Sequence, residues 1–164
     1  MTPIALQDAL IREMEHLFKE KMFLKPPKEN SDEDAERKKT HLRIFRQNLS
    51  VEYSGDDKDP MPYMIVRVQS GKYTEKTGLN KVQVVIIMGI FDDSSDNQGY
   101  TDILNSIQKI YERFAKNPNL ENKFLYDAET FEWTIQEDDY YPYYFGAATM
   151  KFIIPNIERE DPFT

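Results

Sequence analysis

The stretch from Val82 to Phe114 constrains the fold of this chain more than any other part of its sequence. An apolar run rich in β-branched residues (VQVVIIMGI) leads through an acidic loop (FDDSSDNQGY) into a segment with apolar residues at helical spacing (TDILNSIQKIYERF). β-Branched side chains suit a pleated surface, so the run predicts a largely buried strand, and the spacing predicts one apolar stripe on a helix. Together they predict the core of a two-layer domain. The strand residues are Val82, Val84, Val85, Ile86, Ile87 and Ile90, and the helix residues are Ile103, Leu104, Ile107, Ile110, Tyr111 and Phe114.

A second helix is predicted at the start of the chain, over residues 3 to 23. Thr2 and Pro3 are typical of a helix start, with threonine as the N-cap and proline at the first helical position. Pro26 and Pro27 end it, because proline lacks an amide donor and restricts the residue before it. The apolar stripe of this helix predicts that it packs on the core and consists of Leu6, Leu10, Met14, Leu17 and Phe18.

The remaining apolar patterns predict strands. The segment YMIVRVQSG predicts a strand from Tyr63, and GKYTEKTGLN joins it to the central strand as a long arm of an antiparallel hairpin. The alternating residues of FEWTIQ predict a half-buried antiparallel strand, and a last strand is predicted from Phe145 to Ile154. Residues 42–53 predict one edge strand or an irregular extended segment, and NPNLENKFLYD predicts a turn region. We therefore predict the α+β class, with about four mostly antiparallel strands and two main helices on one face of the sheet.

The length of 164 residues predicts a single domain spanning residues 1–164. The almost entirely polar segment at residues 25–40 is predicted to be a linker or loop, either a short exposed helix or a flexible connection. Residues 156–164 are predicted to be a polar tail.

Bulk composition narrows the class of function. The net charge of −8 and the lack of a lysine- or arginine-rich block predict no specific nucleic-acid binding. No apolar run reaches the ~20 residues of a membrane span, and the acidic start has no signal-peptide core. Cysteine is absent, which excludes disulfides and cysteine-ligated zinc. These features predict a protein of the cytoplasm that does not bind membranes, in which the acidic surplus provides solubility or repels passing DNA.

A search for catalytic motifs predicts neither an enzyme nor a cofactor or metal site. The loop starting at Asp92 has Asn97 where a calcium-binding helix–loop–helix loop needs glycine, and Ile103 where it needs glutamate. The only histidines, His16 and His41, are not at metal-ligand spacing. The acidic pair Asp138–Asp139 is expected by chance in so acidic a chain. No phosphate-binding glycine loop is present, and no serine, histidine and acid set is indicated.

The most unusual stretch is the aromatic cluster near residue 142. Tyrosine combines a large apolar area with a polar tip and is enriched at protein interfaces. Four tyrosines in five residues cannot all be buried, so we predict either use at an interface or a division between core packing and simple exposure. The tyrosines are Tyr140, Tyr141, Tyr143 and Tyr144.

The order of several motifs resembles a known family. A strand opens at Pro62–Tyr63–Met64, a second strand leads into Gly89–Ile90–Phe91–Asp92–Asp93, and Asn97–Gln98–Gly99–Tyr100 precedes a helix that ends at Asn117–Pro118. Trp133 stands in a late strand, followed by Tyr141–Pro142–Tyr143–Tyr144–Phe145–Gly146 and a closing strand from Met150 to Pro155. From Pro62 to Ile157, with the N-terminal helix, the chain resembles the tail terminator (tail completion) proteins of tailed bacteriophages and phage-tail-like particles.

The resemblance implies a structural virion protein without catalytic residues. Such proteins form a hexameric ring on the head-proximal end of the tail tube, stop its growth and present the surface that joins the head or neck. The implied partners are further copies of the chain, the tail tube protein, a neck or head-completion protein and, in a contractile tail, the sheath protein. The implied location is the host cytoplasm during assembly and then the tail particle.

Two groups of residues receive roles under this resemblance. The resemblance implies that loops change conformation on assembly, and the arm from Gly71 to Asn80 is our candidate for such a loop. We therefore predict an interface formed by the four tyrosines and by the arm residues Lys72, Tyr73, Thr74, Glu75 and Lys76. The acidic loop is predicted to face the lumen, where its negative charge avoids trapping DNA, through Asp92, Asp93 and Asp96.

Two other functions stay open at this stage. A small cytoplasmic adaptor or regulatory domain would bind a protein partner through the tyrosine-rich turn. A metal-dependent hydrolase would use the acidic loop, and calorimetric titration with calcium, magnesium or manganese would test that alternative.

Overall fold

The computed structural model describes residues 2–27, 38–50, 60–74, 76 and 78–155. Its α+β class confirms the prediction. The elements, in chain order, are α1 (Pro3–Leu17), β1 (Phe23–Leu24), β2 (Lys39–Thr40), β3 (Arg43–Arg46), β4 (Tyr63–Thr74), β5 (Leu79–Phe91), α2 (Gln98–Lys116), β6 (Asn119–Leu120), β7 (Phe124–Tyr126), β8 (Glu132–Ile135) and β9 (Tyr143–Ile154).

Within the described residues, the main sheet has seven strands, six of them in the order β3-β4-β5-β9-β7-β6, and β8 pairs with the same side of β9 as β7 does. The prediction of about four strands is therefore wrong. The strands of this sheet that the sequence missed are β6 and β7, whose two and three residues are too few to show an alternating pattern. The edge strand β3 lies in the segment predicted as an edge strand or an irregular extended segment. The pairs β4–β5 and β5–β9 are antiparallel, whereas the edge strand β3 is parallel to β4.

The segment NPNLENKFLYD, predicted as a turn region, forms the small hairpin of β6 and β7. Its apolar residues Leu120, Phe124 and Tyr126 are all buried. Their burial fixes this part of the chain onto the sheet, and β7 pairs with β9.

Both helices belong to one hydrophobic core on one face of the sheet. Leu6, Leu10 and Met14 of α1 and Ile103 of α2 join the alternate residues of β5 that point to that face, such as Ile86. The opposite face carries a second, smaller cluster with Met61, Tyr63, Ile65 and Phe91 at its centre. The sheet thus separates a large two-helix core from a small core at one end.

The first helix is shorter than predicted. The side chain of Thr2 accepts a hydrogen bond from the amide of Ala5 at 3.1 Å, which confirms the N-cap. The helix ends at Leu17 rather than at residue 23, because the chain turns after Phe18 and Phe23 becomes the buried residue of a strand. Phe23 and Leu24 pair with Thr40 and Lys39, so the two ends of the polar segment at residues 25–40 lie together.

The second helix differs from its predicted stripe at two positions. Ile103, Ile107, Ile110 and Phe114 are buried as expected, but Leu104 and Tyr111 are exposed. The buried stripe of α2 is therefore narrower than the sequence suggested.

The hairpin of β4 and β5 is antiparallel, as predicted, but its arm is mostly strand. The two strands pair as far as Thr74 and Leu79, so only residues 75–78 connect them. A bulge between Val68 and Ser70 interrupts the register. Next to the bulge, the side chain of Gln47 extends the ladder beyond β3, since it accepts from the amide of Val68 at 2.8 Å and donates to the carbonyl of Val68 at 3.0 Å.

Several predictions fall on residues outside the described ranges: the middle of the charged segment (28–37), the tail (156–164), and Val51 and Tyr53. In the described ranges, no helix is long and apolar enough to cross a membrane.

Candidate interaction surfaces

The arm extends the sheet beyond the part that the helices cover. Lys72, Tyr73 and Lys76 are exposed, and Thr74 is half-buried, while Glu75 lies outside the described residues. Tyr73 exposes 66% of its surface. An aromatic side chain that remains this exposed contributes little to the fold and is available for contact with another molecule.

The tyrosine cluster is divided between surface and core. Tyr140 and Tyr141 are exposed, and Tyr143 is half-buried with its ring 5.9 Å from that of Phe91. Tyr144, which the sequence placed at an interface, is 1% exposed and belongs to the main core. The register explains the division, since Tyr143 and Tyr144 oppose Phe91 and Ile90 and so point to opposite faces of the sheet.

Tyr144 is held at the start of α2. Its hydroxyl donates to Oδ1 of Asn97 at 3.1 Å, and its ring packs edge-on against Tyr100 with centroids 4.7 Å apart. Burial raises the pKa of the Tyr144 phenol above its ordinary value of 10.0, and the Asp92 carboxylate raises the same pKa further.

The acidic loop and the tyrosine-rich turn lie side by side at one end of the sheet. The Tyr141 hydroxyl donates to the carbonyl of Asp93 at 2.5 Å, and the amide of Asp92 donates to the carbonyl of Pro142 at 2.9 Å. We call the two segments, residues 92–97 and 137–141, the acidic end. They contain six carboxylates and no lysine or arginine.

Asp92 does not project into solvent as a lumen-facing residue would. It is 6% exposed, and its Oδ1 accepts from the amide and the hydroxyl of Ser94 at 2.9 and 2.7 Å. This arrangement fixes the turn after β5. Asp93 is half-buried and Asp96 is exposed, so the outward charge of the loop comes from these two residues.

Several exposed apolar side chains on α2 and β8 were not expected from the sequence, which placed Trp133 on the same face of a half-buried strand as Phe131 and Ile135. Trp133 exposes 56% of its surface, and Leu104 and Tyr111 of α2 are exposed as well. The Tyr111 ring lies 5.3 Å from that of Phe131, which places the helix beside the start of β8. The signal was the run of alternating apolar residues in FEWTIQ, which indicates a half-buried face but not which residue stays uncovered on an edge strand.

Glycines occupy three of the closest contacts in the core. A Cβ at Gly99 would lie 2.1 Å from the Tyr144 ring, one at Gly146 would lie 2.5 Å from the Ile103 side chain, and one at Gly89 would lie 2.4 Å from the Tyr63 ring. These distances are far below van der Waals contact. Only a residue without a side chain fits there.

The described part of the chain contains no group of three histidine, aspartate or glutamate side chains that could hold a metal ion. A shallow open groove between α1 and β3 has an apolar lining, formed by Met14, Phe18, Leu42 and Ile44 together with Glu15, Lys19 and His41. The chemistry these surfaces offer is binding, through exposed aromatic rings and through charge. No protein-family model matches the chain, and no curated protein matches it.

Proposed function

We propose that this chain is a tail terminator protein, which caps the head-proximal end of a phage tail tube or of a phage-tail-like particle. The observation that supports the proposal is where the motif residues of the resemblance lie. Four of them, Asn97, Gly99, Tyr144 and Gly146, stand far apart in the sequence and meet in one packed junction at the start of α2.

The junction is built by glycines and their neighbours. Asn97 and Gly99 at the start of α2 contact Tyr144, and Gly146 contacts Ile103 of the same helix. On the opposite face of the sheet, outside this junction, Gly89 packs against the Tyr63 ring next to Pro62. Positions that share a packing role are what a common architecture requires, and they carry no catalytic chemistry.

In the proposed assembly, six copies form a ring that stops growth of the tube. The exposed residues of the arm and of the tyrosine-rich turn contact neighbouring copies, the tube protein and the neck or head-completion protein. Asp93 and Asp96 face the lumen and repel DNA phosphates. The sheath protein is a further partner in a contractile tail. The protein acts without catalysis, cofactor or metal ion.

Deletion of the gene tests this function by electron microscopy of the particles that are produced. We expect tails of excessive, uncontrolled length, or tails without heads, and recovery of normal particles when the wild-type gene is supplied in trans. Particles of normal length with joined heads in the deletion strain would remove the proposal.

A cytoplasmic adaptor that binds a protein partner through Tyr140 and Tyr141 is the second candidate, and the exposure of both rings favours it. Photocrosslinking from a reactive amino acid at position 140 separates the two functions in producing cells. Crosslinks to the tube or neck protein agree with the terminator function. Crosslinks only to a protein absent from the particles would favour the adaptor.

A further inference from the structure

The two ends of the long central strand carry opposite charge. β5 runs for 13 residues from Leu79 to Phe91, which at 3.3 Å per residue places its ends about 40 Å apart. The arm lies at its first end and the acidic end at its last. A chain with a net charge of −8 would be expected to be acidic at both.

The arm is basic instead. Residues 71–80 contain two lysines, Lys72 and Lys76, and one acidic residue, Glu75, and Lys81 follows directly. Lys81 forms an ion pair with Asp127 at 3.0 Å. Lys72 and Lys76 are exposed, so their charge is directed outward from the arm.

The opposite end has exposed carboxylates. Asp96, Glu137, Asp138 and Asp139 are all exposed, and the two segments that carry them contain no basic residue. The Asp139 carboxylate accepts the amide of Tyr141 at 2.9 Å, which orders the turn that presents these charges.

Each end also has exposed apolar groups beside its charges. Tyr73 and Leu79 are exposed on the arm, and Tyr140 and Tyr141 are exposed at the acidic end. Aromatic anchors surrounded by complementary charge are typical of specific protein contacts.

We propose that the arm of one copy docks on the tyrosine-rich turn of the acidic end, residues 137–141, of a second copy, in a head-to-tail contact that leaves Asp93 and Asp96 uncovered. The two surfaces are too far apart to meet within one molecule, and pairing of like ends would bring like charges together. A contact between two different surfaces repeats from copy to copy and closes into a ring when the rotation between copies permits. This inference rests on the proposed function for the ring, and it identifies the surfaces that join its subunits.

Charge reversal at each end tests the contact by sedimentation of the purified full-length chain over a range of concentrations. One variant is Lys72→Glu/Lys76→Glu and the other is Glu137→Lys/Asp138→Lys. Asp139 stays unchanged because it orders the turn. The control for the arm variant, Lys19→Glu/Lys109→Glu, makes the same change in net charge as that variant does, at two exposed lysines outside both surfaces.

We expect the wild-type chain to associate, and to do so less at high salt because exposed charges are screened. Each end variant should associate at least about tenfold more weakly than the wild type, since like charges then face each other. The control should associate as the wild type does. A one-to-one mixture of the two end variants should recover association, because each reversed surface then meets a reversed partner.

A wild-type chain that stays monomeric at every soluble concentration would overturn the proposal. So would end variants that associate normally, or a mixture that does not recover. If the arm lysines instead attract the acidic C-terminal segment of their own chain, reversing Lys72 and Lys76 leaves association unchanged. That result would also overturn the proposal.

The same variants separate this inference from the proposed function. A variant that no longer associates but still gives tails of normal length in the deletion strain would contradict the contact as the ring interface, and the terminator function would stand. Normal tails in the deletion strain itself would contradict the terminator function, and the sedimentation result would still decide the contact.

Discussion

Gly99 sits where the first turn of α2 crosses the ring of Tyr144. Any Cβ at this position would overlap the ring at 2.1 Å, and the ring is fixed on its other side by the core of the sheet. The packing of the helix start against Tyr144 and the last strand therefore requires a residue without a side chain at position 99.

We predict that Gly99→Ala destabilises the protein by about 1–3 kcal/mol or more, because overpacking a closed core forces the helix or the ring to move. The matched control is Gly71→Ala on the arm, where the nearest atom to a Cβ is 3.5 Å away. That change should alter the free energy of unfolding by no more than about 0.5 kcal/mol. Urea denaturation of the two variants measures the difference. Equal midpoints for the two would show that the Gly99 contact is not tight.

Tyr144 also predicts how stability depends on pH. Burial holds the pKa of its phenol above 10.0 in the folded protein, so the unfolded chain loses this proton at a lower pH than the folded one. Stability from this group is therefore fully present below the ordinary tyrosine pKa and is lost as pH rises through the folded-state pKa. Burial raises the pKa of Tyr126 too, which adds to the same alkaline loss.

The check is chemical denaturation from about pH 8 to about pH 11 for the wild type and Tyr144→Phe. Below the tyrosine pKa, loss of the hydrogen bond to Asn97 should make the variant less stable by about 1 kcal/mol. Its stability should then fall less steeply than that of the wild type at alkaline pH. Parallel curves for the two proteins would contradict the assignment to Tyr144.

The two helices are joined by a half-buried ion pair between elements that are far apart in sequence. Arg113 of α2 donates to Glu13 of α1, and it also donates to the carbonyls of Asn117 and Asn119 at 2.6 and 3.1 Å. One guanidinium thus connects α1, the end of α2 and the start of β6. Both charged side chains are mostly buried.

We predict that Glu13→Gln lowers the free energy of unfolding by about 1.5–3 kcal/mol, because the Arg113 charge loses its partner away from water. The comparison is Glu121→Gln, which removes the ion pair with Arg12 on the surface. That pair is bidentate, but solvent screens it, so its loss should move the urea midpoint less than the loss of the Glu13 pair does. A larger effect at Glu121 than at Glu13 would contradict this ranking.

At the scale of elements, long amphipathic patterns predicted the structure and short ones did not. Both helices, the β4–β5 hairpin and β9 follow from patterns of nine residues or more, and β8 follows from the six-residue alternation in FEWTIQ. The strands β6 and β7 consist of two and three residues, so Leu120, Phe124 and Tyr126 gave no periodic signal although all three are buried. The parallel pairing of β3 with β4 could not be predicted from the sequence either, because the residues of a four-residue strand do not specify the direction of the neighbouring strand.

The candidate surfaces show the same limit. The exposure of Tyr73, Tyr140 and Tyr141 agrees with their predicted place on a surface, whereas the burial of Tyr144 and Asp92 depended on register and on the turn after β5. Trp133 stays exposed because β8 lies at a sheet edge, and its edge position is a property of the whole topology.

At the scale of the whole molecule, exposed lysines lie on the arm and exposed carboxylates lie at the opposite end of the long strands. The acidic loop at that end has a predicted role in the lumen. We predict that Asp93→Asn/Asp96→Asn leaves tail length normal but reduces infectivity of a headed particle several-fold, since DNA phosphates then meet a less repulsive surface. Asparagine retains the acceptor that bonds the Gln98 amide, so the loop should keep its form.

The control for this variant is Glu112→Gln/Glu132→Gln, which removes the same charge from exposed positions on α2 and β8. Its infectivity should equal that of the wild type. Full infectivity of both variants would remove the lumen role of the loop.

The central claim is that the chain ends the tail tube at its head-proximal side. Immunogold labelling of particles with an antibody against the chain, viewed by electron microscopy, tests it most directly. We expect label at one end of each tail, on the side that joins the head, and none along the tube. Label along the tube, at the distal tip or on no particle at all would contradict it.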